Sequence, residues 1–116
     1  MSLELAQQKA KGFSQARAIQ FDINNETQRQ TEIEEANVVV SMLPASMHTQ
    51  VMQDCLKYKK HMVTASYVSK EMQAVNKEAK KVGVLLLNEM GLDPGIDHMS
   101  AMHIIDRIKS ESGEII

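Results

Sequence analysis

Three short apolar runs, spaced by about twenty residues, constrain the fold of this chain more than any other feature of its sequence. The runs are residues 38–43, 62–65 and 84–87. Both intervening segments carry apolar side chains at helical spacing, namely Val51, Met52, Cys55 and Leu56 in the first and Met72, Val75, Ala79 and Val82 in the second. Strands that alternate with helices in this way form a parallel sheet with right-handed crossovers. We therefore predict an α/β fold in which the strand over residues 38–43 is covered on both faces.

The remaining segments carry weaker patterns, and each supports one further prediction. They predict a helix over 4–13 that stops at Gly12, a strand over 16–21, a polar helix over 25–36 that buries Ile33 and Ala36, a helix from Ser69 to Gly83, a helix that ends near Lys109, and the beginning of another strand at 114–116.

Composition limits the classes of partner. The net charge of −2 comes from mixed acidic and basic residues, so we expect no nucleic-acid partner. The sequence has neither an apolar run long enough to span a bilayer nor a signal peptide, so we expect no membrane partner. Cys55 is the single cysteine and has no internal disulfide partner, which fits a reducing cytoplasm.

The polar loops expected at the carboxyl ends of the strands are the candidate binding site. They are residues 22–24, 43–46, 66–69 and 88–97. Carboxyl ends of parallel strands meet at one edge of a sheet, where ligands of such folds bind. This placement favours a nucleotide or small-metabolite site but does not name the ligand.

The longest of these loops lies within residues 90–99, Met-Gly-Leu-Asp-Pro-Gly-Ile-Asp-His-Met. Glycines on both sides of Pro94 allow a sharp turn, and Pro94 restrains Asp93. We expect Asp97 to cap the following helix. From spacing alone, the loop is either a capped strand-to-helix turn or part of a binding site.

This decapeptide resembles the GLDPGIDH signature of saccharopine dehydrogenases. Three further segments resemble the same family and follow one another in the family's order, namely residues 39–44 with His48, residues 60–69 and residues 88–90. Residues 18–22 resemble the family more weakly. The resemblance implies a partial Rossmann-like parallel sheet flanked by helices, lacking the first β-α-β unit. It also implies oxidation of the secondary amine of saccharopine with NAD or NADP, which gives glutamate and aminoadipate semialdehyde.

The resemblance also implies roles for individual residues. Cofactor-binding residues would be Asp22, Ile23, Leu43, Pro44, Ala65, Ser66 and Leu92, and substrate-binding residues would be Ser66, Tyr67 and Asp93. The catalytic candidates are Tyr67 and Asp93, because the reaction needs an acid–base group near the substrate nitrogen. Each residue also has a purely structural alternative. Asp93 would be a carboxylate that holds the turn, and the ring of Tyr67 would pack against its neighbours while its hydroxyl stays in solvent.

The histidines do not predict a metal site. His98 and His103 are five residues apart and therefore lie on different faces of a helix. We expect His98 to order its loop and His48 to cap or line one.

The sequence contains no G-x-G-x-x-G motif and no acidic ribose-binding residue after it. The resemblance therefore implies that residues 1–116 form an incomplete NAD(P)-binding domain, that residues 114–116 begin a substrate domain, and that the chain alone is inactive. We expect it to form homo-oligomers through residues 38–43. The alternatives are a carboxynorspermidine-type reductase and a non-catalytic α/β binding module.

Overall fold

The structure is a computed structural model that describes residues 2–115. Its elements follow the chain in the order α1 (Leu3–Ala10), α2 (Glu26–Glu35), β1 (Val38–Ser41), a 3₁₀ turn (Ala45–Met47), α3 (His48–Tyr58), β2 (His61–Thr64), α4 (Lys70–Ala74), α5 (Asn76–Val82), β3 (Leu86–Leu87) and α6 (Ile96–Ser110). The α/β class predicted from the three apolar runs is confirmed.

The sheet has three parallel strands in the order β1-β2-β3. Val39 is opposite Met62, and Met62 is opposite Leu86. In the described residues no strand precedes β1, so the first β-α-β unit of a Rossmann-like sheet is absent from them.

The core lies between the sheet and α3. The predicted stripe of α3 is confirmed, since Val51, Met52, Cys55 and Leu56 are all buried. Helix α3 contacts β1 and β2 of the sheet and also α2, α4 and α5. Met62 of β2 closes the core from the sheet.

The opposite face of the sheet is open, so the prediction that residues 38–43 are covered on both faces is wrong. Side chains alternate along a strand, and those on the outer face are exposed, with Val40 at 65% and Met42 at 77%. Leu85 and Leu87 extend this exposed face at the other edge of the sheet. The apolar run predicted the strand correctly, but no described helix covers its outer face.

Residues 16–21, predicted to form a strand, are irregular. A strand requires a hydrogen-bonded neighbour, and β1 pairs only with β2 among the described strands. The Gln20 carbonyl instead accepts a hydrogen bond from the Gln28 side chain at 2.6 Å.

Three other boundaries differ from prediction. Val75 separates α4 from α5, so the predicted helix between Ser69 and Gly83 consists of two pieces. The predicted third strand shortens to Leu86–Leu87. Residues 114 and 115 are not in a strand, and Ile116 lies outside the described residues.

The two terminal helices bury no side chain. The radius of gyration is 18.0 Å, compared with about 13 Å for a closed domain of similar length. None of the helices in residues 2–115 combines the length and apolar character needed to cross a bilayer.

Candidate functional site

Backbone hydrogen bonds join the loop after β3 to the end of β2. The amide of Met90 donates to the Thr64 carbonyl, and the amide of Glu89 donates to the Ser66 carbonyl, both at 3.1 Å. The Glu89 side chain accepts from the Val68 amide at 3.2 Å. These bonds bring two of the four predicted binding loops together, as expected for the carboxyl edge of a parallel sheet.

The turn over residues 91–97 is tight, as its glycines predict. The Gly91 amide donates to the Pro94 carbonyl, and the Ile96 amide returns to the Gly91 carbonyl, both at 3.0 Å. Gly95 has φ +149°, and a Cβ there would lie 2.8 Å from the Glu89 carbonyl oxygen. A glycine is therefore required at this position.

Gly95, and not Asp97, is the N-cap residue of α6, so the prediction that Asp97 caps this helix is wrong in position. Asp97 lies one residue inside the helix and accepts from the Gly95 amide at 2.8 Å. Desolvation alone would raise the pKa of Asp97, but hydrogen bonds from the His98 backbone, the Gly95 backbone and the His98 side chain together outweigh it and lower the pKa. His98 Nδ1 lies 2.8 Å from Asp97, which agrees with its predicted loop-ordering role.

The two catalytic candidates are in direct contact. The Tyr67 hydroxyl donates to Asp93 Oδ1 at 2.7 Å, and both side chains are exposed. This hydrogen bond, followed by desolvation and nearby carboxylates, raises the pKa of Tyr67. The phenol therefore keeps its proton near neutral pH and is a donor.

The predicted cofactor residues form two groups. Ala65 contacts the signature loop, since a Cβ at Gly91 would lie 2.9 Å from the Ala65 Cβ. Ile23 and Leu43 line an apolar groove of about 440 Å³ beside β1. Pro44, in the loop after β1, and Leu92, in the loop after β3, are exposed.

Asp22 is not joined to either group by a side-chain hydrogen bond among the described residues. Its carboxylate accepts from the Asn24 amide at 3.0 Å, within its own turn. Its amide donates to the Gln28 side chain.

His48 was predicted to cap or line a loop, and its burial and central position were missed. It begins α3, and its ring contacts Ser41, Thr64 and Ser66. The available signal was a histidine four residues after Pro44, with the hydroxyl residues Ser41 and Thr64 within the apolar runs. Residues 2–115 contain no cluster of three or more His, Cys, Asp or Glu side chains suited to a metal ion.

Two features of the described residues bear on cofactor binding. One is the apolar groove that Ile23 and Leu43 line, and the other is the close contact between Ala65 and the signature loop. The sequence provides no glycine-rich loop for the pyrophosphate. The open parallel sheet with polar loops at its carboxyl edge therefore defines a protein of the Rossmann-like α/β class.

Comparisons with known proteins identify the family. Residues 2–87 match the family model described as the saccharopine dehydrogenase NADP binding domain. The chain therefore belongs to this family, which confirms the resemblance inferred from its motifs. The matched residues include every predicted site residue except Leu92 and Asp93.

Individual relatives match almost the whole chain. Alpha-aminoadipic semialdehyde synthase of Arabidopsis thaliana is 40% identical over 113 residues, which cover 97% of this chain and 11% of the relative. Saccharopine dehydrogenase (NADP(+), L-glutamate-forming) of Pyricularia oryzae is 35% identical over 114 residues, which cover 98% of this chain and 25% of the relative. The chain thus spans a quarter or less of the length of these relatives.

A solved structure has the same fold. The apo histidine-tagged saccharopine dehydrogenase (L-Glu forming) of Saccharomyces cerevisiae superposes with a TM-score of 0.80 at 34% sequence identity. The superposition covers 94% of this chain and 24% of that chain.

Proposed function

We propose that this chain supplies part of the cofactor site and the acid–base pair of a saccharopine dehydrogenase. The enzyme would oxidise the CH–NH bond of saccharopine with NADP or NAD, giving an amino acid and aminoadipate semialdehyde in lysine metabolism. One observation carries the proposal: the Tyr67 hydroxyl and Asp93 Oδ1 are 2.7 Å apart, beside Ser66 at the carboxyl edge of the sheet.

The hydrogen bond from Tyr67 divides the roles of the two residues. It occupies Asp93 Oδ1, while Oδ2 has no protein hydrogen-bond partner in the part of the chain that the structure describes. Asp93 Oδ2 would therefore accept the proton that leaves the substrate nitrogen. After it releases that proton to solvent, the same carboxylate would take a proton from the water that adds to the C=N carbon. It would give this proton to the nitrogen as the amine leaves and accept the proton of the hydroxyl that becomes the carbonyl.

The nicotinamide cofactor supplies the acceptor for the hydride of the substrate carbon. Ala65, Ser66 and Leu92 would hold its nicotinamide end. Asp22, Ile23, Leu43 and Pro44 would hold the remainder. The family description favours NADP over NAD as the first cofactor to assay.

A hybrid enzyme tests the proposal. The segment of this chain that aligns with the S. cerevisiae enzyme would replace the matching segment of that enzyme, and turnover of saccharopine with NADP would be measured. Asp93→Asn should lower turnover by about a hundredfold or more, the usual scale for losing a general acid–base group, without lowering the melting temperature. Asp106→Asn is the control, because Asp106 is an exposed carboxylate on α6 and should leave turnover unchanged.

Two results of this assay would contradict the proposal. If Asp93→Asn melts the hybrid and the protein that stays folded keeps its turnover, the carboxylate only holds the turn. If a folded hybrid has no turnover at all, the non-catalytic binding module becomes the better account.

We further propose that two copies of the chain associate through β1. This edge strand has no neighbour on its outer side in the described residues, and Val38, Val40 and Met42 are exposed on one face. Light scattering at high concentration should give a dimer or larger species, and Val40→Lys should shift it towards monomer. A clean monomer before substitution would contradict this proposal.

We also propose a cytoplasmic location. The lone Cys55 is buried as a free thiol, which is compatible with a reducing compartment. Fluorescence microscopy of the tagged protein would test this, and accumulation outside the cytoplasm would contradict it.

A further inference from the structure

We propose that His48 is a positioning residue: its ring holds the Ser66 side chain so that the Ser66 hydroxyl donates a hydrogen bond to an acceptor oxygen of the bound ligand. This inference rests on the proposed function, because it takes the carboxyl edge of the sheet to be the ligand site.

The His48 ring joins the ends of two strands. It is 3% exposed and lies among three hydroxyls. Nδ1 lies 2.8 Å from the Oγ of Ser41, the last residue of β1. Nε2 lies 2.7 Å from the Oγ of Ser66 and 3.2 Å from the Oγ1 of Thr64, the last residue of β2.

The backbone of Ser66 is held independently of His48. Its amide donates to Thr64 Oγ1 at 3.3 Å, and its carbonyl accepts from the Glu89 amide at 3.1 Å. The rotation of the Ser66 side chain is therefore the remaining freedom at this residue. Within residues 2–115, the Ser66 hydroxyl has one hydrogen-bond partner, the His48 ring, which accordingly sets that rotation.

The hydrogen-bond donors determine which ring nitrogen carries the proton. Burial lowers the pKa of His48, so the ring is neutral near pH 7, with one donor and one acceptor. With the proton on Nε2, the Ser41 hydroxyl donates to Nδ1 and Nε2–H donates to Ser66. The Thr64 hydroxyl is then the one buried hydroxyl whose hydrogen lacks an acceptor in the described residues. With the proton on Nδ1, the hydrogen between Nε2 and Ser66 must come from Ser66, because this contact, at 2.7 Å, is shorter than the 3.2 Å contact with Thr64. The hydroxyl hydrogens of both Ser41 and Thr64 then lack an acceptor in the described residues. Because an unsatisfied buried donor is costly, the first arrangement is favoured.

The favoured tautomer fixes what Ser66 offers to a ligand. Its oxygen accepts from the ring, so its own hydrogen is available to an acceptor. Ser66 is half-buried at the edge of the sheet, within reach of solvent. A carboxamide or carboxylate oxygen has the required chemistry, and either the cofactor or the amino-acid substrate could supply it.

The ring state can be measured directly in the 116-residue chain. Long-range ¹H–¹⁵N spectra at pH 7 should assign His48 as neutral with the proton on Nε2. Ser41→Ala removes the hydroxyl that donates to Nδ1, so the ring should become a mixture of tautomers. An Nδ1–H ring, a charged ring, or an unchanged tautomer in Ser41→Ala would overturn the assignment.

The positioning role is tested by two conservative variants. His48→Gln can keep an amide near the position of Nε2, whereas His48→Asn reaches only the position of Nδ1. Coupling constants should show one Ser66 rotamer in His48→Gln and averaging in His48→Asn, at similar melting temperatures. A single rotamer in both variants would overturn the proposal. If neither folds, the tautomer measurement on the unsubstituted chain and Ser41→Ala decides it.

Separate titrations with NADP⁺ and saccharopine distinguish the sources of the acceptor oxygen. The ligand that shifts the Ser66 Cβ resonance supplies it, and His48→Asn should bind that ligand about three- to tenfold more weakly, the value of one hydrogen bond. If neither ligand shifts it in the isolated chain or in the hybrid enzyme while the tautomer and rotamer are as expected, the ring assignment is supported and the proposed function is contradicted.

Discussion

Removing the carboxylate of Asp54 should destabilise the chain far more than removing an exposed one. Asp54 Oδ2 accepts from Arg29 Nε at 2.6 Å, and the two side chains are 7% and 9% exposed. Arg29 also donates to the Ile23 carbonyl at 2.7 Å, so the ion pair joins α2, α3 and the turn before α2. Asp54→Ala would leave a buried guanidinium without its counter-ion.

The magnitude follows from this burial. Breaking a buried pair on one side costs about 3–5 kcal/mol, because the remaining charge is neither solvated nor paired. A chain of 116 residues has an unfolding entropy of about 0.24 kcal/mol/K, so the melting temperature should fall by about 12–20 °C. The double variant Arg29→Met/Asp54→Leu leaves no buried charge and should recover most of this loss.

Urea unfolding followed by circular dichroism would measure the change, and Glu32→Ala is the matched control. Glu32 pairs with Arg17 at 3.0 Å, but these side chains are 31% and 68% exposed, so the expected loss is below about 1 kcal/mol. Equal losses for Asp54→Ala and Glu32→Ala would refute the assignment of a buried, energetically coupled pair. So would a double variant less stable than Asp54→Ala.

Three further predictions concern the core and the signature turn. Met52 is fully buried, so Met52→Ala should cost about 2–5 kcal/mol in the same assay, and a loss below 1 kcal/mol would contradict its place in the core. Gly95→Val should lower the melting temperature more than Gly12→Val. Both glycines have positive φ, but only at Gly95 would the new Cβ collide with neighbouring atoms. Equal losses in the two variants would contradict the tight turn. Burial, with a smaller effect of Asp54, raises the pKa of the Cys55 thiol from 9.0 to about 12, so an aromatic disulfide reagent at pH 8 should label it only on unfolding. Because the unfolded thiol ionises first, the free energy of unfolding should also fall from about pH 9 to pH 12, and a flat profile or rapid native labelling would contradict its burial.

Local patterns predicted the parts of the fold that depend on local forces. Val51, Met52, Cys55 and Leu56 are buried because a helix with apolar residues at this spacing turns them towards the core. The Ser69 hydroxyl accepts from the Met72 amide at 3.2 Å, as its N-cap position predicts. The turn around Gly95 followed from glycine and proline chemistry alone.

Features that depend on distant partners were not predictable in the same way. Residues 16–21 have a strand-like composition, but a strand also needs a neighbour, which the described residues do not supply. The apolar run at β1 could not reveal that its outer face is open. The hydroxyls around His48 come from separate strand ends, so no periodicity relates them.

The candidate site was predicted through resemblance more than through physics. Spacing alone identified the loops and left their ligand open. The resemblance identified Tyr67 and Asp93, which are 26 residues apart in the sequence and form a hydrogen bond in the structure. The Asp22 carboxylate completes its own turn, and its role in cofactor binding stays a prediction.

Titration of the ¹⁵N-labelled chain with NADP⁺ tests the central claim most directly, namely that the carboxyl edge of the sheet is the cofactor site. Amide shifts should concentrate at Leu43, Ala65, Ser66 and Leu92, with an affinity weaker than micromolar because the sequence has no glycine-rich phosphate loop. The amides of His61 and Leu85, near the amino ends of β2 and β3, should stay unchanged. Shifts concentrated at those amino ends, or none anywhere at millimolar NADP⁺, would contradict the claim.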